Sequence, residues 1–414
     1  MQNDDQTSEA YRAVERTARD SYGRLIGYLA ARSRDVAAAE DALADAFARA
    51  LDNWPRCGVP EKPEAWLLTT ARRRLIDGAR HSRVQAEAIP TLLALVDEAQ
   101  DLASKDNSFP DERLKLLFIC AHPAIDAGIR TPLMLQTVLG LDAARIGSAF
   151  LVQPAAMGQR LSRAKAKIRD ARMAFELPAA SELSPRLNAV LEAIYVAYGS
   201  GWDDIAGADS RRRGLAAEAI DLGRLLARLM PNQPEALGLL ALMLHCEARR
   251  GARRNPEGRY VPLSQQDVAG WSGSMIEEAE QCLSEAAKGA QLGRFQLEAA
   301  IQSVHAQRAQ TGRTDWEAIA LIYEALVRLV PTIGALVGRA AAVAEARGAE
   351  AGWEMLEAIP SVAVRTYQPY WAVAAHLLKR TQRTSDATAA YSRAIGLCED
   401  PATREFLIQQ SHAS

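Results

Sequence analysis

Residues 66–83 read WLLTTARRRLIDGARHSR, a segment in which five arginines share a helical pattern with an apolar side. Leu68, Ala71, Leu75 and Ala79 recur at three- and four-residue spacing and form the inward stripe of a helix. Arg73, Asp77 and Arg80 fall on another face, which Arg83 extends. A basic helix stiffened by its own core is what recognition of a nucleic-acid backbone requires. The same pattern suits a solvated face on which Asp77 pairs with Arg73 and Arg80, so the choice depends on the rest of the chain.

At 414 residues the chain exceeds what a single core organises, and two or three domains are expected. Ala, Leu and Arg dominate, aromatic residues are few, and Val and Ile stand mostly at helical rather than alternating spacing. An all-α fold is the consequence. No uncharged apolar run reaches membrane-spanning length, and the opening MQNDDQTSEA is too acidic and polar for a secretory signal. A cytoplasmic protein with no membrane partner is expected. The five cysteines stand far apart without a CxxC pair, and Cys120 with His122 supplies too few ligands for a metal site. No metal and no cofactor are expected, and a reduced compartment fits. The net charge of −2 hides an uneven distribution, because positions 160–172 carry six basic residues against the single acid Asp170.

Three blocks follow one another. The first, 1–83, predicts helices near 8–32, 35–53 and 62–83, with Pro55, Gly58, Pro60 and Pro63 in the loop before the third. Positions 84–110 hold five acids against Lys105 alone and read as an acidic linker. In the second block, 111–178, Asp142 can cap a helix through Ala149 or Phe150, and Pro154 suits the first position of the next. There Met157, Leu161, Ala164 and Ile168 face inward, leaving Ala155, Gln159, Arg160, Arg163 and Lys167 outward. This is the pattern of a helix-turn-helix with a basic recognition helix, and equally of a core hairpin with a charged exterior.

The third block, 184–414, is a succession of helices with an irregular repeat. LARLMP at 226–231 recurs as LVRLVP at 326–331, and ATAAYSRAIGLCEDP at 387–401 echoes both. The spacings of Pro231, Pro331 and Pro401 are near multiples of the roughly 34-residue tetratricopeptide period. The insertion at 249–273, with RRGARRNPEGRYVPL, is either a solvated loop or a contact surface. No phosphate loop, GxGxxG, HExxH or GxSxG occurs, and His245 and His305 sit among apolar helical residues as interior groups. No enzymatic activity is expected.

Taken in order, AEDALADAFARAL (39–51), EAWLLTTARRRLIDGAR (64–80), DERLKLLFICAHPAI (111–125), AARIGSAFLVQPAAMGQRLSRAKAKIRDA (143–171), VLEAIYVAYGSGW (190–202), EALGLLALMLHCEARR (235–250) and TDWEAIALIYEAL (314–326) carry a resemblance. Over essentially its whole length the chain resembles a bacterial RNA polymerase sigma factor of the extracytoplasmic-function type, in the subgroup with a C-terminal tetratricopeptide-like extension. The resemblance implies two small helical sigma domains, region 2 at 1–83 and the helix-turn-helix region 4 at 111–178, joined by the linker. A helical tetratricopeptide-like domain at 184–414 would follow. Glu40, Asp41, Asp45, Phe47 and Arg49 match the helix that docks on the polymerase clamp, with Ala44 where many relatives carry glutamine.

By the same resemblance Arg72, Arg73, Arg80 and Arg83 would hold phosphates of the promoter −10 strand, Arg73 standing where many relatives have asparagine. The loop near 54–65 could receive an unstacked base. Trp66 can pack or stack, and the adjacent Leu67 and Leu68 favour packing. Gln159, Arg160 and Arg163 would reach −35 base edges or phosphates, with Lys165 and Lys167 adding charge. The implied partners are core RNA polymerase, promoter DNA and a regulatory protein at the C-terminal domain. The alternative reading is a stand-alone helix-turn-helix regulator with a tetratricopeptide sensor, and a third is a scaffold whose arginine helices are merely solvated.

Overall fold

Helix-forming composition, frequent caps and well-placed prolines yield an all-α protein. The computed structural model describes residues 2–81, 111–150, 152–202, 215–289 and 291–412. Among them there is no strand, only an isolated antiparallel bridge between Arg254 and Tyr260. The linker at 84–110 and Arg83 lie outside the described residues, as does the side chain of Arg80. Two compact units divide the chain, the first ending at Leu222 and the second running from Gly223.

The first unit opens with α1 (Gln2–Ser33), α2 (Val36–Cys57) and α3 (Pro63–His81). Asp35 caps α2 by accepting from the Ala38 N–H at 3.1 Å. Ala39, Leu43, Ala46, Ala50 and Trp54 then follow at helical spacing and are buried. The helix runs past Pro55, although the proline and glycine spacing predicts a loop there. Proline removes one donor near the end of the helix, and the Leu51 carbonyl it would have served belongs to a residue facing solvent. Termination comes at Gly58, with φ of 86° and its N–H on the Trp54 carbonyl at 3.0 Å. At the start of α3, Glu64 accepts from Ser21 and, at 3.2 Å, from Arg24, which ties α3 to α1.

The unit continues with α4 (Arg113–Cys120), α5 (Ala127–Leu139), α6 (Ala143–Ala149), α7 (Pro154–Asp170) and α8 (Ala180–Trp202). Asp126 caps α5 through Gly128, and Asp142 accepts from the Arg145 N–H at 2.7 Å where α6 begins. Gly140, left-handed at φ 72°, ends α5. Pro154 opens α7, and Met157, Leu161, Ala164 and Ile168 are its buried stripe. The start of α8 docks on this block: Arg186 donates to the Phe118 carbonyl at 2.7 Å, and Thr131 to that of Ala193 at 3.1 Å.

The second unit begins within α9 (Leu215–Leu229) and continues through α10 (Pro234–Ala248), α11 (Gly273–Ala286), α12 (Arg294–Ala306), α13 (Trp316–Leu329), α14 (Ile333–Arg347), α15 (Ala349–Glu357), α16 (Gln368–Arg380), α17 (Thr384–Leu397) and α18 (Pro401–His412). The repeated LARLMP and LVRLVP end α9 and α13 in the same way, Met230 and Val330 donating to Leu226 and Leu326 at 2.8 and 2.7 Å. The basic insertion is a pinned strap. Arg254 meets Asp400 at 2.7 Å, Tyr260 stacks edge-on against Phe406, and Arg308 holds the Leu263, Ser264 and Gln266 carbonyls. His245 and His305 are interior groups, both held near a pKa of about 4 by burial first and by the Arg249 charge second. No helix is long and apolar enough to cross a membrane, and no group of His, Cys, Asp and Glu could hold a metal ion, among the described residues.

Candidate nucleic-acid interface

Two basic surfaces emerge in the first unit, each from a helix that spends one face on the core. On α3, Leu67, Leu68, Ala71 and Ile76 are buried, while Arg73 and Arg74 are exposed. Arg72 is not part of that exposed face. It is buried, donates to the Tyr28 hydroxyl and lies over the Tyr28 ring with its guanidinium 4.9 Å from the centroid. Its inward placement differs from the expected phosphate contact, because one position before Arg73 the helix has turned by about 100° toward α1.

Arg73 opens onto a cleft of about 350 Å³ that Arg49, Asp52, Asn53 and Arg56 of α2 and Trp66 and Thr70 of α3 complete. Three guanidiniums therefore share the cleft with a single carboxylate. Trp66 both packs and remains accessible: it is half-buried, meets the buried Trp54 edge-on at 5.6 Å and 70°, and forms part of the wall. Chemically this is a place where guanidiniums can take phosphates, an asparagine amide can meet a base edge, and an indole can stack. Asn53, Arg56 and Thr70 were missed in the sequence. Their signal is spacing, since 49, 52, 53 and 56 share one face of α2, as 66, 70 and 73 do on α3.

On α7, Gln159, Arg160, Arg163 and Lys167 are all exposed. Arg160, Arg163 and Lys167 rim a second cleft, of about 480 Å³, whose apolar wall is Ile125, Ile129 and Ala164. Lys165 departs from this set. It is buried and donates to Glu40 at 2.5 Å and to Gln136 at 3.0 Å.

Of the residues matched to the docking helix, Asp41 and Arg49 are exposed, and Asp45 and Phe47 are half-buried. Asp45 and Arg49 pair with each other at 3.0 Å. Glu40 alone faces inward, toward Lys165. Burial lifts its carboxyl above the ordinary range, opposed by the Lys165 charge and hydrogen bond, with Asp41 and Asp35 adding to the rise. Burial also raises the Tyr22 phenol, reinforced by Glu40, and takes the Cys120 thiol up to about 12.

Comparison with known proteins bears on the same helices. Residues 17–84, from within α1 to beyond α3, match sigma-70 region 2. Residues 186–287, from α8 past the strap, match a family of unknown function, DUF6596. An uncharacterized protein of Rhizobium meliloti (strain 1021) is 38% identical over 392 residues, which cover 94% of this chain and 92% of that protein. No solved structure matches. The chain belongs to one family with the Rhizobium meliloti protein, and its sigma-70 region 2 supports the role of an RNA polymerase sigma factor.

Proposed function

We infer that this protein directs promoter-specific initiation by core RNA polymerase as a sigma factor of the extracytoplasmic-function type, with a regulatory tetratricopeptide-like extension. The observation that carries the reading is the sigma-70 region 2 match over residues that build the arginine-walled cleft. In this reading α2 meets a basic polymerase surface through Asp41, Asp45 and Phe47, where charge complementarity sets register and encounter rate more than affinity. The cleft of Arg49, Asn53, Arg56, Trp66 and Arg73 takes the −10 strand, its guanidiniums on phosphates and its indole and amide beside an unstacked base. Gln159, Arg160 and Arg163 read the −35 element in the major groove, with Lys167 on the phosphates.

The extension serves as a platform for a regulatory protein. What supports this is a run of packed helix pairs whose basic insertion is occupied internally, leaving the outer helix faces for a partner.

Reconstituted transcription tests the function. Core polymerase supplemented with the full chain is expected to initiate on promoters found by sequencing transcripts after overexpression. Failure to initiate on any native promoter, or tight specific duplex binding by the free protein, overturns the reading.

A further inference from the structure

The insertion at 249–273 carries five arginines against the two acids Glu257 and Asp267. Its ends meet, the Ser272 N–H donating to the Ala248 carbonyl at 2.8 Å. Between them the turns Gly251–Arg253 and Val268–Gly270 pack together, and the second also packs on the short helix Arg308–Thr311. Arg254, Gln266, Trp271 and Arg308 adjoin this packing, and their polar groups are incompletely matched. Gln266 is 6% exposed and Trp271 9%, yet the Gln266 Oε1 and the Trp271 Nε1 have no hydrogen-bond partner among the described residues. Arg254, its side chain 11% exposed, gives Nη2 to Asp400 and leaves Nε and Nη1 without a partner there. Such atoms give up their bonds to water on folding and receive none in return. Arg308 is unmatched in charge. Its guanidinium holds the Leu263, Ser264 and Gln266 carbonyls at 2.8, 2.7 and 2.7 Å and lies 5.2 Å from the Trp271 ring centroid, but no carboxylate stands within 4.0 Å among the described residues. The His305 imidazole registers the positive excess, its pKa brought to about 4 by burial first and then by the Arg249 and Arg308 charges.

We propose that the strap covers a binding site for a small phosphate-bearing ligand, with Arg308 as counter-charge, Arg254 and the Trp271 indole as hydrogen-bond donors and the Gln266 amide oxygen as acceptor. Phosphate fits this set better than a carboxylate does. Its oxygens point in several directions and can take donors arriving from three separate segments, at 254, 271 and 308, whereas a carboxylate presents two oxygens in one plane. A singly protonated phosphate also brings the O–H that the buried Gln266 oxygen lacks. Water does not reach the unmet atoms while the strap lies in place, so the ligand enters as the strap lifts. Lifting exchanges the carbonyl bonds of Arg308 for stronger, charge-assisted bonds to the phosphate. The site lies wholly within the second unit and does not depend on the sigma-factor reading. It gives the extension a small-molecule input beside its outer helix faces.

Calorimetric titration of the full chain with inorganic phosphate, at constant ionic strength so that general screening is held fixed, tests the site. One saturable site is expected. Arg308→Gln removes the counter-charge and is expected to weaken binding roughly tenfold or more, the share of a hydrogen bond to a charged group. Arg259→Gln, on the exposed tip of the same insertion, is expected to leave binding unchanged. Should Arg308→Gln fail to fold, as judged by circular dichroism, Trp271→Phe decides, because it deletes one donor while an aromatic ring still fills the place; a loss of about fivefold or more is expected. Acetate at the same concentrations is expected not to bind. Methyl phosphate binding more tightly than inorganic phosphate assigns an esterified ligand, and the reverse order the free ion; either result upholds the site. Absence of saturable binding, acetate binding as tight as that of phosphate, an equal loss in Arg259→Gln, or unchanged affinity in folded Arg308→Gln or Trp271→Phe overturns it.

Discussion

Arg72 and Arg73 are neighbours with opposite tasks. The Arg72 guanidinium is buried against the Tyr28 ring and hydroxyl, while Arg73 lines the cleft. Arg72→Ala is expected to destabilise the first unit by about 1–3 kcal/mol, the cost of leaving a buried polar partner unmade, and chemical denaturation reads this directly. Arg73→Ala is expected to leave stability within about 0.5 kcal/mol and to lower the salt slope of DNA binding in the polymerase complex by about 1. Equal effects of the two variants on stability would remove the distinction. That the segment 66–83 is basic and helical was legible from its spacing alone. Which of three consecutive arginines turns inward was not, because the answer depends on Tyr28, 44 positions earlier.

Among the elements, α7 follows its sequence pattern most closely, with every residue of its predicted apolar stripe buried. Its outward Gln159, Arg160 and Arg163 lend themselves to a graded test. Alanine at Arg160 or Arg163 is expected to cost about 1–3 kcal/mol on the cognate −35 element if the side chain reads a base, and to relax preference at one position. Competition binding of the polymerase complex to substituted promoters checks it, and an equal loss on every sequence would demote the residue to a phosphate contact. The strap at 249–273 shows where an element escapes sequence reading. Its many arginines suggest a solvated loop, yet Arg254 finds Asp400 at 2.7 Å across 146 residues, a pairing that no local spacing reveals.

Across the molecule, buried histidines set a pH limit. His245 is 3% exposed and lies 3.4 Å from a Glu280 oxygen, yet burial and the Arg249 charge bring its pKa to about 4. An unfolded chain takes up the proton near 6.5. Between these values the native state binds fewer protons than the unfolded one, so stability is present above about 6.5 and is lost as pH falls toward about 4. The loss is on the order of 3 kcal/mol for His245, and His305 shifts in the same direction. Thermal melts between pH 7 and 4.5 are expected to fall, and His245→Gln to flatten the slope. A slope unchanged by that substitution would assign the acid sensitivity elsewhere.

The helices, their caps at Asp35, Asp126 and Asp142, the basic faces of α3 and α7 and the absence of strands among the described residues are properties of spacing and composition. They depend on interactions a few residues apart, which the order of residues specifies directly. The Arg49–Trp66–Arg73 cleft, the burial of Arg72 and the joining of Glu40 to Lys165 over 125 positions depend on how separate helices meet. Helical periodicity tells which residues share a face, but a charged residue at the margin of an apolar stripe can be drawn inward whenever a neighbouring helix supplies its counter-charge. For that reason Lys165, one position past the buried Ala164, reads as a DNA contact in the chain and lies in the folded protein against the helix matched to polymerase docking.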